Sequence, residues 1–220
     1  YSSGKRMNLT GSNPKITLSK SQLSMNAATG RGIYLQGTAP QVLLDDSQLN
    51  MEDTGAAQGM ILQGEDAFLS LSNQSEFSLS GAGTGTLQNI AVGNNNARPE
   101  LLVTGGSKLS VTTTSGTGGA SDTANNAVHL RGSNPVLRIL DRSQVSVRIQ
   151  SGARRAFFMN GNTGNFQIEN SELDINAVSG QGISFSGSNS LLAIKDGSRV
   201  SSQTGVNDSI ILLGTEPTLD

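Results

Sequence analysis

The chain has 220 residues, 15% of them charged and 4% aromatic, with a formal net charge of −2. Ser, Gly, Asn and Thr dominate (30, 27, 19 and 17 residues), yet Leu, Ile, Val and Phe still supply about a quarter of the chain, enough to bury a core and to exclude disorder. With no Cys, no apolar run longer than Ile210-Ile211-Leu212-Leu213 and no apolar h-region after Tyr1–Arg6, the sequence excludes disulfide scaffolds, thiolate metal sites, cysteine nucleophiles, a spanning helix and an N-terminal signal peptide in these residues.

In chain order, the first apolar-x-apolar-x-Gly segment is Met7-Asn8-Leu9-Thr10-Gly11. Pro14 follows its glycine by three residues, and a polar corner ending in Ser21 opens Leu23-Ser24-Met25. The second copy reads Ile33-Tyr34-Leu35-Gln36-Gly37, Pro40, Val42–Leu44, then Ser47 and Leu49-Asn50-Met51. The third holds Met60-Ile61-Leu62-Gln63-Gly64 and Ser75-Glu76-Phe77-Ser78-Leu79. The fourth is shortened to Ile90-Ala91-Val92-Gly93 and continues with Ser107-Lys108-Leu109-Ser110-Val111. Residues 112–126 (TTTSGTGGASDTANN) then read as an outward loop insertion. The fifth copy is Val128-His129-Leu130-Arg131-Gly132, Pro135 and Ser143-Gln144-Val145-Ser146-Val147. The sixth is Phe157-Phe158-Met159-Asn160-Gly161 with Ser171-Glu172-Leu173-Asp174-Ile175. The seventh is Ile183-Ser184-Phe185-Ser186-Gly187 with Ser198-Arg199-Val200, and Ile210–Gly214 begins an eighth.

Successive glycines are 26, 27, 29, 39, 29, 26 and 27 residues apart, and successive serines 26, 28, 32, 36, 28 and 27. Each copy carries three short period-2 segments separated by Gly, Ser, Asn, Asp or Pro corners, with no 3.6-residue apolar spacing. A repeat of this length predicts an all-β, right-handed, single-stranded parallel β-helix of about seven to eight coils, each of three short strands. At about 4.8 Å per coil, seven intervals make a rod about 34 Å long. Inward positions take aliphatics, the glycines permit a tight corner, and the recurring corner serines are placed to form a hydroxyl ladder. Residues 1–220 read as one β-helix segment. Little chain lies outside the repeats to cap the end coils, so the segment is expected to belong to a longer surface protein or to associate end to end.

These Gly-bounded and Ser-led repeats, from about Met7 to Leu219, resemble the pectate-lyase-like adhesive domains of Gram-positive bacterial surface proteins. The resemblance implies a secreted, wall-associated chain that is not an enzyme and attaches to a host or matrix ligand, glycan or protein. A polysaccharide lyase or glycoside hydrolase of the same fold, and a purely structural stalk, are the other readings.

Enzymes of this fold need carboxylates stacked on neighbouring coils, to hold Ca²⁺ or to act as acid and base. The middle positions of the first segments are Asn8, Tyr34, Ile61, Ala91, His129, Phe158, Ser184 and Ile211, none acidic. The pair Asp45-Asp46 is matched one coil on by Asn73 and Gln74. No catalytic residue, metal site or cofactor is therefore expected.

Alternation points Tyr34, Ile61, Ala91, His129 and Phe158 outward, as an exposed apolar strip for a ligand or partner, or a surface covered by the 112–126 loop or a neighbouring domain. Charge is segregated: residues 32–97 hold seven acids and no base, whereas Arg131, Arg138, Arg142, Arg148, Arg154 and Arg155 concentrate in one coil. That band suits a sulfated or uronic-acid glycan, or attraction between acidic and basic coils of adjacent molecules. The expected ligand-binding residues are Tyr34, Ile61, His129, Arg131, Phe158, Arg154 and Arg155. Basic and aromatic residues are not interleaved as nucleic-acid binding requires, and no direct membrane insertion is expected.

Overall fold

The computed structural model describes residues 5–27, 31–53, 58–81, 89–94, 97–114, 126–150, 155–178, 180–205, 209–213 and 218–220. Among these there is no helix, and three parallel sheets of eight, eight and seven strands stack coil upon coil as a right-handed β-solenoid. Seven coils carry all three strands, and the eighth adds only Ile210–Leu213 and Thr218–Leu219, slightly fewer coils than the upper expectation. In the first two sheets, six coils are paired on both sides.

The register explains the repeat. In the first sheet, Met7, Ile33, Met60, Ile90, Val128, Phe157, Ile183 and Ile210 form one column, each opposite the next. The second and third sheets stack in the same way, for example Val42–Leu69–Leu101–Leu137 and Leu49–Phe77–Leu109–Val145. These columns merge into one buried core along the axis. Phe77, Phe157, Phe166 and Phe185 lie wholly inside it, so the narrow interior does accept rings.

The two expected corner devices are present, with one refined. Most glycines closing the first strand are needed because the preceding coil's backbone approaches closely. A Cβ on Gly161 would lie 1.8 Å from the Gly132 carbonyl oxygen and 2.7 Å from Pro135 Cδ. Gly93 differs. Its register partner is Arg131, one place ahead of Gly132, and its φ is +97°, so the shortened copy shifts its glycine out of the column.

The serines form a hydroxyl ladder. The backbone N–H of Ser21 donates to Ser47 Oγ (3.1 Å), Ser47 N–H to Ser75 Oγ (3.2 Å), and the series runs on through Ser107, Ser143 and Ser171 to Ser198. Hydroxyls in turn donate to a carbonyl of their own corner, as Ser75 Oγ does to the Ser72 oxygen at 2.6 Å. The expected loop is bounded by strands Lys108–Thr113 and Asn126–Arg131; residues 115–125 lie outside the described residues.

Candidate functional site

The three sheets present three outward faces of different character, because the side chains not committed to the core are free to vary.

On the first face, the predicted column does point away from the core, but it is not exposed. Tyr34 is 5% exposed, Ile61 8%, Phe158 3% and His129 0%, which corrects the expected open apolar strip. Tyr34, Ile61 and Ala91 pack as a separate small cluster. Alternation dictates direction, not cover, and at Tyr34 and Phe158 a flanking arginine lies over the ring. The Arg31 guanidinium lies 4.3 Å from the Tyr34 ring centroid, and the Tyr34 hydroxyl donates to Gln63 Oε1 at 2.8 Å. Arg155 lies 4.2 Å over the Phe158 ring, while Phe158 stacks on His129 with centroids 5.0 Å apart. Both ring nitrogens of His129 and both side-chain polar atoms of Asn126 are buried without a hydrogen-bond partner. Burial first, then the positive charges of Arg131 and Arg155, push the His129 imidazole down to about 3, so it is neutral near pH 7.

The basic residues do not gather into one patch. Arg131 and Arg155 belong to the first sheet, Arg138 to the second, Arg142 to a corner and Arg148 to the third. Arg154 lies outside the described residues. Several acids of the preceding coil pair with bases within the chain: Asp66 with Arg98 (3.5 Å), Glu76 with Lys108 (3.5 Å) and Glu100 with Arg138 (3.0 Å). Charges separated along the sequence thus meet across coil interfaces. Among the described residues, no three His, Asp or Glu side chains come together as a metal-holding group.

The third face is polar throughout. Its middle outward column is Ser24, Asn50, Ser78, Ser110, Ser146, Asp174 and Ser201. The second face is different and was missed by the sequence reading. Its outward positions include Leu43, Phe68, Leu102, Val136, Leu140 and Leu191, all half-buried rather than covered. The Glu100–Arg138 pair sits among them. A signal for this face was present: Val42-Leu43-Leu44 and Leu101-Leu102-Val103 break strict alternation with three apolar residues in succession.

Compared with family models, curated proteins and solved structures, the chain matches none.

Proposed function

We propose that the chain is a non-catalytic segment of a bacterial cell-surface adhesin, of the pectate-lyase-like kind its repeats resemble, and that it binds a host or matrix glycan or protein. The observation that supports this is the contrast between faces. A solenoid that needed only solubility has no use for Phe68, Leu43, Leu102 and Val136 on one outward face while the third face stays wholly polar. Half-buried apolar residues beside a salt-bridged Arg–Glu pair form a mixed surface of the kind protein and sugar ligands use. The first face, whose column is covered, is not the binding face in this reading.

A glycan and matrix-protein array tests it, with the wild type beside the double variant Phe68→Ser/Leu102→Ser. The wild type is expected to bind at least one ligand and the variant to lose most of that binding while keeping its far-UV spectrum. Absence of any wild-type ligand overturns the adhesin reading. It leaves the stalk reading, which the continuous serine column favours. A β-helix lyase or hydrolase would reveal itself by new unsaturated or reducing ends after incubation with uronic-acid or sulfated glycans, and none is expected.

A further inference from the structure

The corner between the second and third strands is indented along the axis. Two depressions, of about 420 and 230 Å³, lie along it and share one lining residue, Arg142. They follow the axis from the third coil to the seventh, four coil steps or about 19 Å.

We propose that this groove binds a linear glycan carrying carboxylate or sulfate groups, with Arg142 as its central contact; this rests on the adhesin reading and names one ligand class and where it sits. The groove has a simple construction. One wall is the corner residue of each coil: Gln74, Gly106, Arg142, Asn170 and Gly197. The other is the first outward residue of each third strand: Glu76, Lys108, Gln144, Glu172 and Arg199, paired in register. The buried serine ladder runs between them as a floor.

The depressions occur where the corner lacks side chains. Gly105 and Gly106 (φ +66° and +74°) lie at one, and Gly197 (φ +71°) at the other. Between them the same left-handed backbone is adopted by Asp141 and Arg142, at φ +56° and +62°, a conformation that favours glycine and that an arginine adopts at a cost. The chain therefore keeps a strained cation at a corner where the coil before it has Gly106 and the coil after it Asn170.

Charge selects the ligand class. Glu76 is paired with Lys108, and Glu172 stands opposite Arg199 in the register. Arg142 has only Gly106 and Asn170 beside it in its own wall, and Asp141 is engaged by the Thr104 hydroxyl at 2.5 Å. Among the charged side chains that line the two depressions, Glu76, Lys108, Arg142, Glu172 and Arg199, one positive charge is thus in excess, and Arg142 carries it in the forked geometry that suits a carboxylate or sulfate. Gln74, Gln144 and Asn170 offer amides to sugar hydroxyls, and neither wall has an apolar side chain to hold a hydrophobic peptide. A further depression, about 380 Å³ over Ser24, Asn50 and Ser78, contains no cation, and its Asn26 amide already donates to Glu52 at 3.3 Å.

The test is retention of the whole chain on immobilised polygalacturonate (carboxylate) and heparin (sulfate), at low and high salt, with a neutral glucan as blank. Wild type is expected to be retained by at least one polyanion at low salt and released at high salt. Arg142→Gln should weaken retention by about fivefold, and Arg142→Gly, which also relieves the backbone, should do the same. Arg148→Gln removes the same charge from the third face outside the groove and should change retention by less than about twofold. Equal loss in the Arg148 and Arg142 variants overturns the groove, because net charge alone would then explain binding. Failure to bind either polyanion while binding another array ligand, sensitively to Phe68→Ser/Leu102→Ser, also overturns the groove but leaves the adhesin reading standing. Failure to bind anything overturns both.

Discussion

His129 is the chain's single histidine, and it is fully buried with two unpartnered nitrogens. Its folded pKa lies near 3, below the ordinary 6.5, so the unfolded chain takes up a proton first as pH falls. Stability is therefore fully retained above about pH 7 and declines from about 6.5 down to about 3. Between pH 7.5 and 5.5 the loss is about 1.4 kcal/mol, in a window above the range where carboxylates titrate. Urea midpoints at those two pH values should differ for the wild type and coincide for His129→Leu. In NMR, the one imidazole Cε1–H resonance should stay fixed from pH 8 to pH 5; a titration near 6.5 would show that the ring is solvated. Gly161 is the complementary case, set by space rather than charge. Ala there would drive Cβ into the Gly132 carbonyl, and a loss of about 3 kcal/mol or more is expected in chemical denaturation. Gly197→Asn, at φ +71° with nothing within 4 Å, should cost little.

At the scale of the element, each strand is stable only because the strand one coil away holds the same register, and the serine ladder is the clearest instance. Ser75→Ala removes the acceptor of the buried Ser47 N–H and should cost about 1–3 kcal/mol. Ser21 lies exposed at the first rung, and its hydroxyl donates only to the Ser19 carbonyl, so Ser21→Ala should change the denaturation midpoint by less than about 0.5 kcal/mol. If both substitutions cost the same, the ladder contributes locally and not through its coil-to-coil bonds. The strands and this ladder were legible in the sequence because the same residue type returns to the same place every coil, which makes a column visible as a period. The faces were less legible. Tyr34 and Phe158 follow an outward phase, but nothing in that phase shows that Arg31 and Arg155 lie over them. Leu43, Phe68 and Leu102 were passed over because each sits beside inward aliphatics in a run that reads as core.

At the scale of the whole molecule, winding decides what is near what. A coil spends some 27 residues on one circuit, so Arg138, Arg142 and Arg148, adjacent in the text of the sequence, point around the circumference in different directions. Residues about a coil apart instead touch, which is why Glu100 meets Arg138 and Asp66 meets Arg98. The basic band expected from linear proximity therefore dissolves, and the groove around Arg142 emerges from residues spread over more than a hundred positions.

The coil-to-coil pairing also has a mechanical meaning. The hydrogen bonds of all three sheets run between successive coils and so lie along the rod, which places them in the line of any pull applied to its two ends. A coil adds only about 5 Å to the folded length, but its roughly 27 residues reach about 90 Å when drawn straight. Single-molecule stretching should therefore show extension released in steps of about that size or its multiples; one featureless rupture of the entire chain would contradict coil-wise yielding. Coil-wise yielding is that of thread on a spool: stiff until a turn slips, then able to lengthen many times over while the remaining turns stay wound.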